Sequence, residues 1–134
     1  MSTAANTWEA DLYAKLSGDA TLRVIVGTRI FPAPAPDGTA GPFVVWQLIS
    51  AEGATTHDAP ADFYRGTLQL TAWAADKSRA RAALDRVIEL LDAVNIAGAR
   101  DLTCVNPMRG ETYDADTTPR MHGQLVDFSI TFNV

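Results

Sequence analysis

The stretch GTLQLTAWAADKSRARAALDRVIELLDAV, residues 66–94, decides the fold because its apolar residues change period part way along. In the first half Leu68, Leu70 and Ala72 alternate with Thr67, Gln69, Thr71 and Trp73, the period-2 pattern of a half-buried strand. From Ala80 onward the apolar positions are Ala80, Ala83, Leu84, Val87, Ile88, Leu91 and Val94, the i, i+3, i+4, i+7 stripe of an amphipathic helix. Arg81, Asp85, Arg86, Glu89 and Asp92 fall on the opposite side, toward water. Asp76 or Ser78 supplies a short side-chain oxygen for a free N–H of the first turn, and Gly98 lies past the expected end. A strand and a helix that each have one apolar face bury those faces against each other, so this unit is expected to form the core. It contains no reactive constellation.

Working outward, residues 7–17 are expected to form a first helix: Asn6 and Glu9 have capping-box spacing, Trp8, Leu12 and Leu16 recur on one side, and Lys15 and Gly18 close it. Asp19 can cap a brief second helical turn carrying Leu22, Ile25 and Val26 and ended by Gly27, after which Ile30 and Phe31 begin an extended segment. Residues 32–42, PAPAPDGTAGP, hold four of the seven prolines. Proline has no N–H and forces its predecessor into extended geometry, so this piece is a stiff surface crossing. A proline-rich ligand for another domain is the alternative use of such a stretch.

Residues 43–50, FVVWQLIS, form a strand with apolar residues on both sides: Val44, Trp46 and Leu48 against Val45, Gln47 and Ile49. Such a strand is central in its sheet, or its outer face meets another subunit. Residues 51–64 are polar and punctuated by Gly and Pro, so with the strand at 65–74 they are expected to make a hairpin with a long loop at its tip. Residues 102–105 form a short strand, 106–123 a second long hydrophilic loop, and 124–133 a last strand with Val126, Phe128, Ile130 and Phe132 inward. The expected class is α+β: a single domain over residues 1–134, with a mainly antiparallel four- to five-stranded sheet and one long and one short helix on one face.

At 134 residues with 47% hydrophobic composition, the chain has the size and apolar content of one self-sufficient domain. A net charge of −5 opposes a DNA-gripping surface, because affinity for nucleic acid comes largely from Lys and Arg displacing phosphate counterions. One cysteine, Cys104, excludes an internal disulfide and a multi-cysteine zinc site, and is expected to be a small buried hydrophobe. The N-terminal residues show no basic segment followed by an apolar run, and no run approaches the length of a membrane span, so a soluble cytoplasmic product is expected.

Catalytic signals are weak. His57, Asp58 and Asp62 form a loose loop cluster, and neither His57 nor His122 has metal-ligand spacing to the other or to Cys104. Asp114 and Asp116 match the first two ligands of a calcium loop, but the glycine and the closing Glu of that pattern are missing. The sequences G-x-S-x-G, G-x-G-x-x-G, H-E-x-x-H and the P-loop are absent. No catalytic residue, metal ligand or cofactor is expected. Lys77, Arg79 and Arg81 sit at a helix start, where the dipole disfavours positive charge; they either face solvent or meet an anionic neighbour.

Four segments taken together resemble one known family: WEADLYAKLSGDATLRVIVGTRIFP, APAPDGTAGPFVVWQLIS, RGTLQLTAWAADKSRARAALDRV and QLVDFSITFNV. They are similar to the tail terminator (tail completion) proteins of long-tailed phages and phage-like gene transfer agents, with R-I-F-P and P-F-V-V-W-Q the most specific steps. Residues 107–123 carry none of the likeness. The resemblance implies a small non-enzymatic α/β protein of the virion, assembled in the bacterial host cytoplasm as a homo-hexameric ring at the head-proximal end of the tail tube. It would stop tube growth, contact the tail tube protein and a head-side connector or stopper, and let DNA pass without specific binding. No membrane is implied.

On that reading Val45, Gln47 and Ile49 are candidate lateral contacts. His57, Asp58 and Asp62 in one loop, and Tyr113, Asp114, Asp116 and Arg120 in the other, are candidate axial contacts, with Lys77, Arg79 and Arg81 facing an anionic neighbour. The acidic balance is expected to keep the channel non-adhesive, an expectation that a strongly positive bore would overturn. The competing readings are another connector or tail tube component, and a small enzyme or ligand-binding module with its pocket under the long loops.

Overall fold

A computed structural model of the chain describes residues 4–36, 39, 41–56, 59–92, 94–96, 99–104, 110–114 and 121–133. The elements in order are α1 (Ala4–Ser17), α2 (Ala20–Val26), β1 (Ile30–Pro32), β2 (Phe43–Thr56), β3 (Ala59–Ala74), α3 (Lys77–Leu91), β4 (Val94–Ile96), β5 (Ala99–Cys104), β6 (Gly110–Asp114) and β7 (Met121–Asn133). The strands join into one seven-stranded sheet of order β1-β2-β3-β7-β5-β4, with β6 on β7 beside β5. Among the described strands only β1 and β2 run parallel; β2, β3 and β7 form a long antiparallel centre.

The α+β class and the mainly antiparallel sheet are as the sequence implies. On one face of the sheet Val44, Trp46, Leu68, Leu70, Ala72, Val126, Phe128 and Ile130 form a core with Leu12, Leu16, Leu22, Val26, Leu84, Val87 and Leu91 of the helices. The apolar stripe of α3 is the reason it lies there, and Ala80 and Ala83, both buried, let its backbone approach the strands closely. Asp76 is the residue that caps α3, its Oδ1 accepting the Arg79 N–H at 2.8 Å. Asp19 caps α2 as expected, accepting the Leu22 N–H at 2.8 Å.

Four expectations are corrected. Residues 51–64 are mostly strand: β2 and β3 stay paired from Ser50↔Thr67 to Thr56↔Ala59. Ladder hydrogen bonds join backbones, so the alternation that marks a strand in sequence is not required there. Within 106–123, Gly110–Asp114 is a strand because it finds the edge of β7, which begins at Met121. Helix α1 begins at Ala4, so Asn6 lies inside the helix and its spacing to Glu9 is not that of a start cap. Helix α3 stops at Leu91 with Asp92 donating its N–H to Ile88 O, and Val94 opens β4, so Gly98 is not the helix stop.

Candidate assembly surfaces

The sheet face opposite the helices is covered by no described element. Register places Phe31, Val45, Thr71, Leu125 and Gly110 in one row across it, and Phe43, Trp73, Gly123 and Thr112 in the next. Phe31, Phe43, Val45, Trp73 and Leu125 are all half-buried, so one end of this face is apolar. Toward the other end it turns polar. Gln47 and Gln69 lie opposite each other, and Gln69 Nε2 donates to Asp127 Oδ1 at 3.2 Å across the β3–β7 pair.

Of the residues singled out on β2, Val45 is half-buried in the apolar row, Gln47 is exposed on the polar side, and Ile49 is 50% exposed. Ile49 sits in a bulge between the pairs Leu48↔Leu68 and Ser50↔Thr67, where one extra residue bends and twists the strand. The outer apolar residues of this strand therefore lie on an open face and not in a second core.

Lys77, Arg79 and Arg81 gather in the first turns of α3 and are exposed. Arg79 Nε lies 3.5 Å from Asp76 Oδ2, a pair open to solvent that offsets part of the local positive charge. Across from it, Val24 and Ile25 of α2 line a shallow groove with Arg79, and Val24 is 87% exposed.

One ion pair ties the start of α2 to α3. Arg86 of α3 donates from Nε to Asp19 Oδ2 at 2.9 Å and from Nη2 to Asp19 Oδ1 at 2.7 Å, and from Nη1 to Glu89 at 2.8 Å. The Arg86 guanidinium, then the Leu22 N–H, hold the Asp19 carboxyl down at about 2, and the same pairing raises Arg86 further. Burial pushes Glu9 of α1 the other way, above its ordinary value.

A second clamp was not legible in advance. Arg29 reaches across the proline crossing to donate from Nε to Pro42 O at 2.8 Å, while its own carbonyl accepts the Val44 N–H at 3.0 Å. Gly27 and Gly41 flank its guanidinium, each with positive φ, and a Cβ on either would come within 3.3 Å of it. This one side chain stitches R-I-F-P to P-F-V-V-W-Q. The signal available in sequence is the arginine two residues after a helix-ending glycine; its partner thirteen positions on is not encoded locally.

The remaining sites divide by position. Asp62 lies in the outer part of β3, and Tyr113 and Asp114 in β6 opposite His122 and Met121. His57, Asp58, Asp116 and Arg120 lie outside the described residues. Among the described residues no three His, Cys, Asp or Glu side chains gather as a metal ligand set, and no described helix is long and apolar enough to cross a membrane.

Comparison with known proteins follows the same direction. The family model described as "Tail completion protein gp17" matches residues 10–133. A chain from a structure titled "Virion of native gene transfer agent (GTA) particle" superposes with a TM-score of 0.74 at 19% identity, each chain covered over 100% of its length. A second solved structure superposes with a TM-score of 0.62 at 14% identity, covering 99% of this chain and 98% of the other. At those identities the likeness is one of fold. No curated protein matches the chain in sequence.

Proposed function

The chain belongs to the tail completion protein gp17 family, structural proteins of the phage-type tail, and from that membership we propose that it ends the tail tube. In this reading residues 1–134 act as one tail-terminator-like domain. Six copies form a ring at the head-proximal end of the tube, stop its polymerisation, and offer a face to the head-side connector. The family match over residues 10–133 carries the proposal.

The physical features fit a ring. Each copy of a cyclic assembly must present two different, complementary surfaces, and this fold has unlike margins on the two sides of its sheet. A half-apolar, half-polar sheet face beyond the core offers area for contact with tube or connector. The net charge of −5 keeps duplex from adhering as it passes. The ring would assemble in the host cytoplasm and remain in the virion, with no chemistry asked of it.

Electron microscopy of particles made without this protein tests the reading. Overlong tails lacking heads are expected. Tails of normal length joined to heads would refute it, and long cylinders grown from the purified protein alone would identify a tube subunit instead.

A further inference from the structure

We infer that neighbouring copies join by strand pairing, the free outer margin of β2 in one copy adding to the free margin of β6 in the next. This rests on the ring reading and names the contact that would build it.

Among the described residues, β2 has an outer partner only along its first residues. Val44 donates its N–H to Arg29 O at 3.0 Å, Trp46 O accepts from Ala33 N–H at 2.9 Å, and the β1 pairing ends at Pro32↔Trp46. Beyond Trp46, no described strand pairs with that side of β2, although β2 continues to Thr56. The alternation of an antiparallel ladder fixes which groups point outward: Leu48 before the bulge and, with the phase shifted by Ile49, Ala51 and Gly53 after it.

The same alternation carried across β3 and β7 turns Gly110 and Thr112 of β6 toward β7. That leaves the N–H and C=O groups of Glu111 and Tyr113 on the outer side, where no described strand pairs with them. An open row of donors and acceptors is a template for another strand. The sheet's end strands β1 and β4 are blunted by ordinary means. β1 ends at Pro32 with Pro34 beyond it, and β4 is three residues long. Residues 48–56, LISAEGATT, contain neither proline nor lysine and a single charge, Glu52.

Direction and position identify the occupant as a second copy of this chain. β6 is antiparallel to β7, β7 to β3, and β3 to β2, so β6 runs antiparallel to β2. A copy related by rotation about an axis along the strands keeps those directions, and brings β2 to β6 as an antiparallel pair. The free part of β2 lies beside the Gly66↔Ile130 end of the sheet and β6 beside the Trp73↔Gly123 end, so the two margins are staggered along the strands. Closure of a sheet on itself requires such a stagger, with tilted strands. Pairing of β2 with its own equivalent would stop at a dimer and leave β6 open.

Disulfide trapping tests this in the full-length protein and in assembled tails, with Cys104→Ser as background. The variant Gly53→Cys with Tyr113→Cys, and its register alternatives using Ala51→Cys or Glu111→Cys, should oxidise to a ladder of covalent oligomers ending at the ring. Each single variant alone should stay monomeric on a denaturing gel, and a mixture of the two singles should stop at dimers. If Gly53→Cys or Ala51→Cys alone yields dimers, or a ring of the right mass forms with no cross-link in any register, the strand-pairing inference is overturned and the ring reading stands. If the tails contain no ring of this protein, both fall.

Discussion

Replacing Gly27 with alanine tests whether the backbone turn that aims Arg29 is held in a conformation only glycine adopts freely. Gly27 ends α2 at φ 62°, ψ −130°, with its N–H donated to Arg23 O at 2.9 Å. A residue with a Cβ held in so sparsely populated a region costs about 1–3 kcal/mol. The same change narrows the unfolded ensemble and returns about 0.4–1 kcal/mol. The net loss is about 1.5 kcal/mol, which lowers Tm by about 5 °C for a domain between the small and medium size classes.

The new Cβ would stand 3.3 Å from Arg29 Nη1, the movable end of a long side chain, so the guanidinium shifts by a few tenths of an ångström and keeps Pro42 O. Arg29→Ala alone removes a charge-assisted hydrogen bond and should cost about 1.5–3 kcal/mol. If backbone strain dominates at Gly27, the two losses add to within about 0.5 kcal/mol in the double variant. Thermal and urea unfolding of the four proteins gives the cycle. A Gly27→Ala protein as stable as the parent would refute the argument, and a loss that vanishes in the Arg29→Ala background would move its cause from the backbone to the side chain.

Acid unfolding should depend on the Asp19–Arg86 pair. The folded-state carboxyl sits at about 2 against an ordinary 3.8, so its contribution is complete above the ordinary value and fades as pH falls toward 2. Asp19→Asn should therefore flatten the stability–pH curve between those values; an unchanged slope would exclude the pair as its source. Glu9 has the opposite sign: its raised value favours the folded state at low pH, so Glu9→Gln should improve relative stability as pH rises past the ordinary 4.5. Leu84→Ala, at a fully buried α3 position, should cost about 2–5 kcal/mol and lower Tm by about 10 °C, with a smaller shift meaning that α3 repacks. Charge reversal of the exposed pair Arg79 and Arg81 should change monomer stability by less than about 1 kcal/mol, yet weaken ring formation in a salt-dependent way; full assembly at low salt would show that this face meets no anionic partner.

What could be read from sequence was what repeats. The switch from alternation to the α3 stripe, the Asp19 cap, Asp76 as one of two cap candidates for α3, and the inward sets on β3 and β7 follow from short-range rules. The apolar sets fall in the right places because those residues are also buried in the core. The outer parts of the β2–β3 hairpin and β6 have the sequence character of loops because residues 51–56, AEGATT, and 110–114, GETYD, lack a hydrophobic face. Their strand character comes from the neighbour's backbone. The same holds for Arg86 with Asp19, 67 positions apart, and for Arg29 with Pro42, where the partner is chosen by topology.

That asymmetry bears on function. A strand specified by its own pattern needs a core beneath it, whereas one specified only by a ladder needs a partner beside it. The segments whose strand character sequence could not show are those whose margins at Ala51 and Gly53 and at Glu111 and Tyr113 pair with no described strand. Selection on these stretches for backbone pairing, with little demand on side-chain identity, is the expected consequence if their second partner is another copy of the same chain.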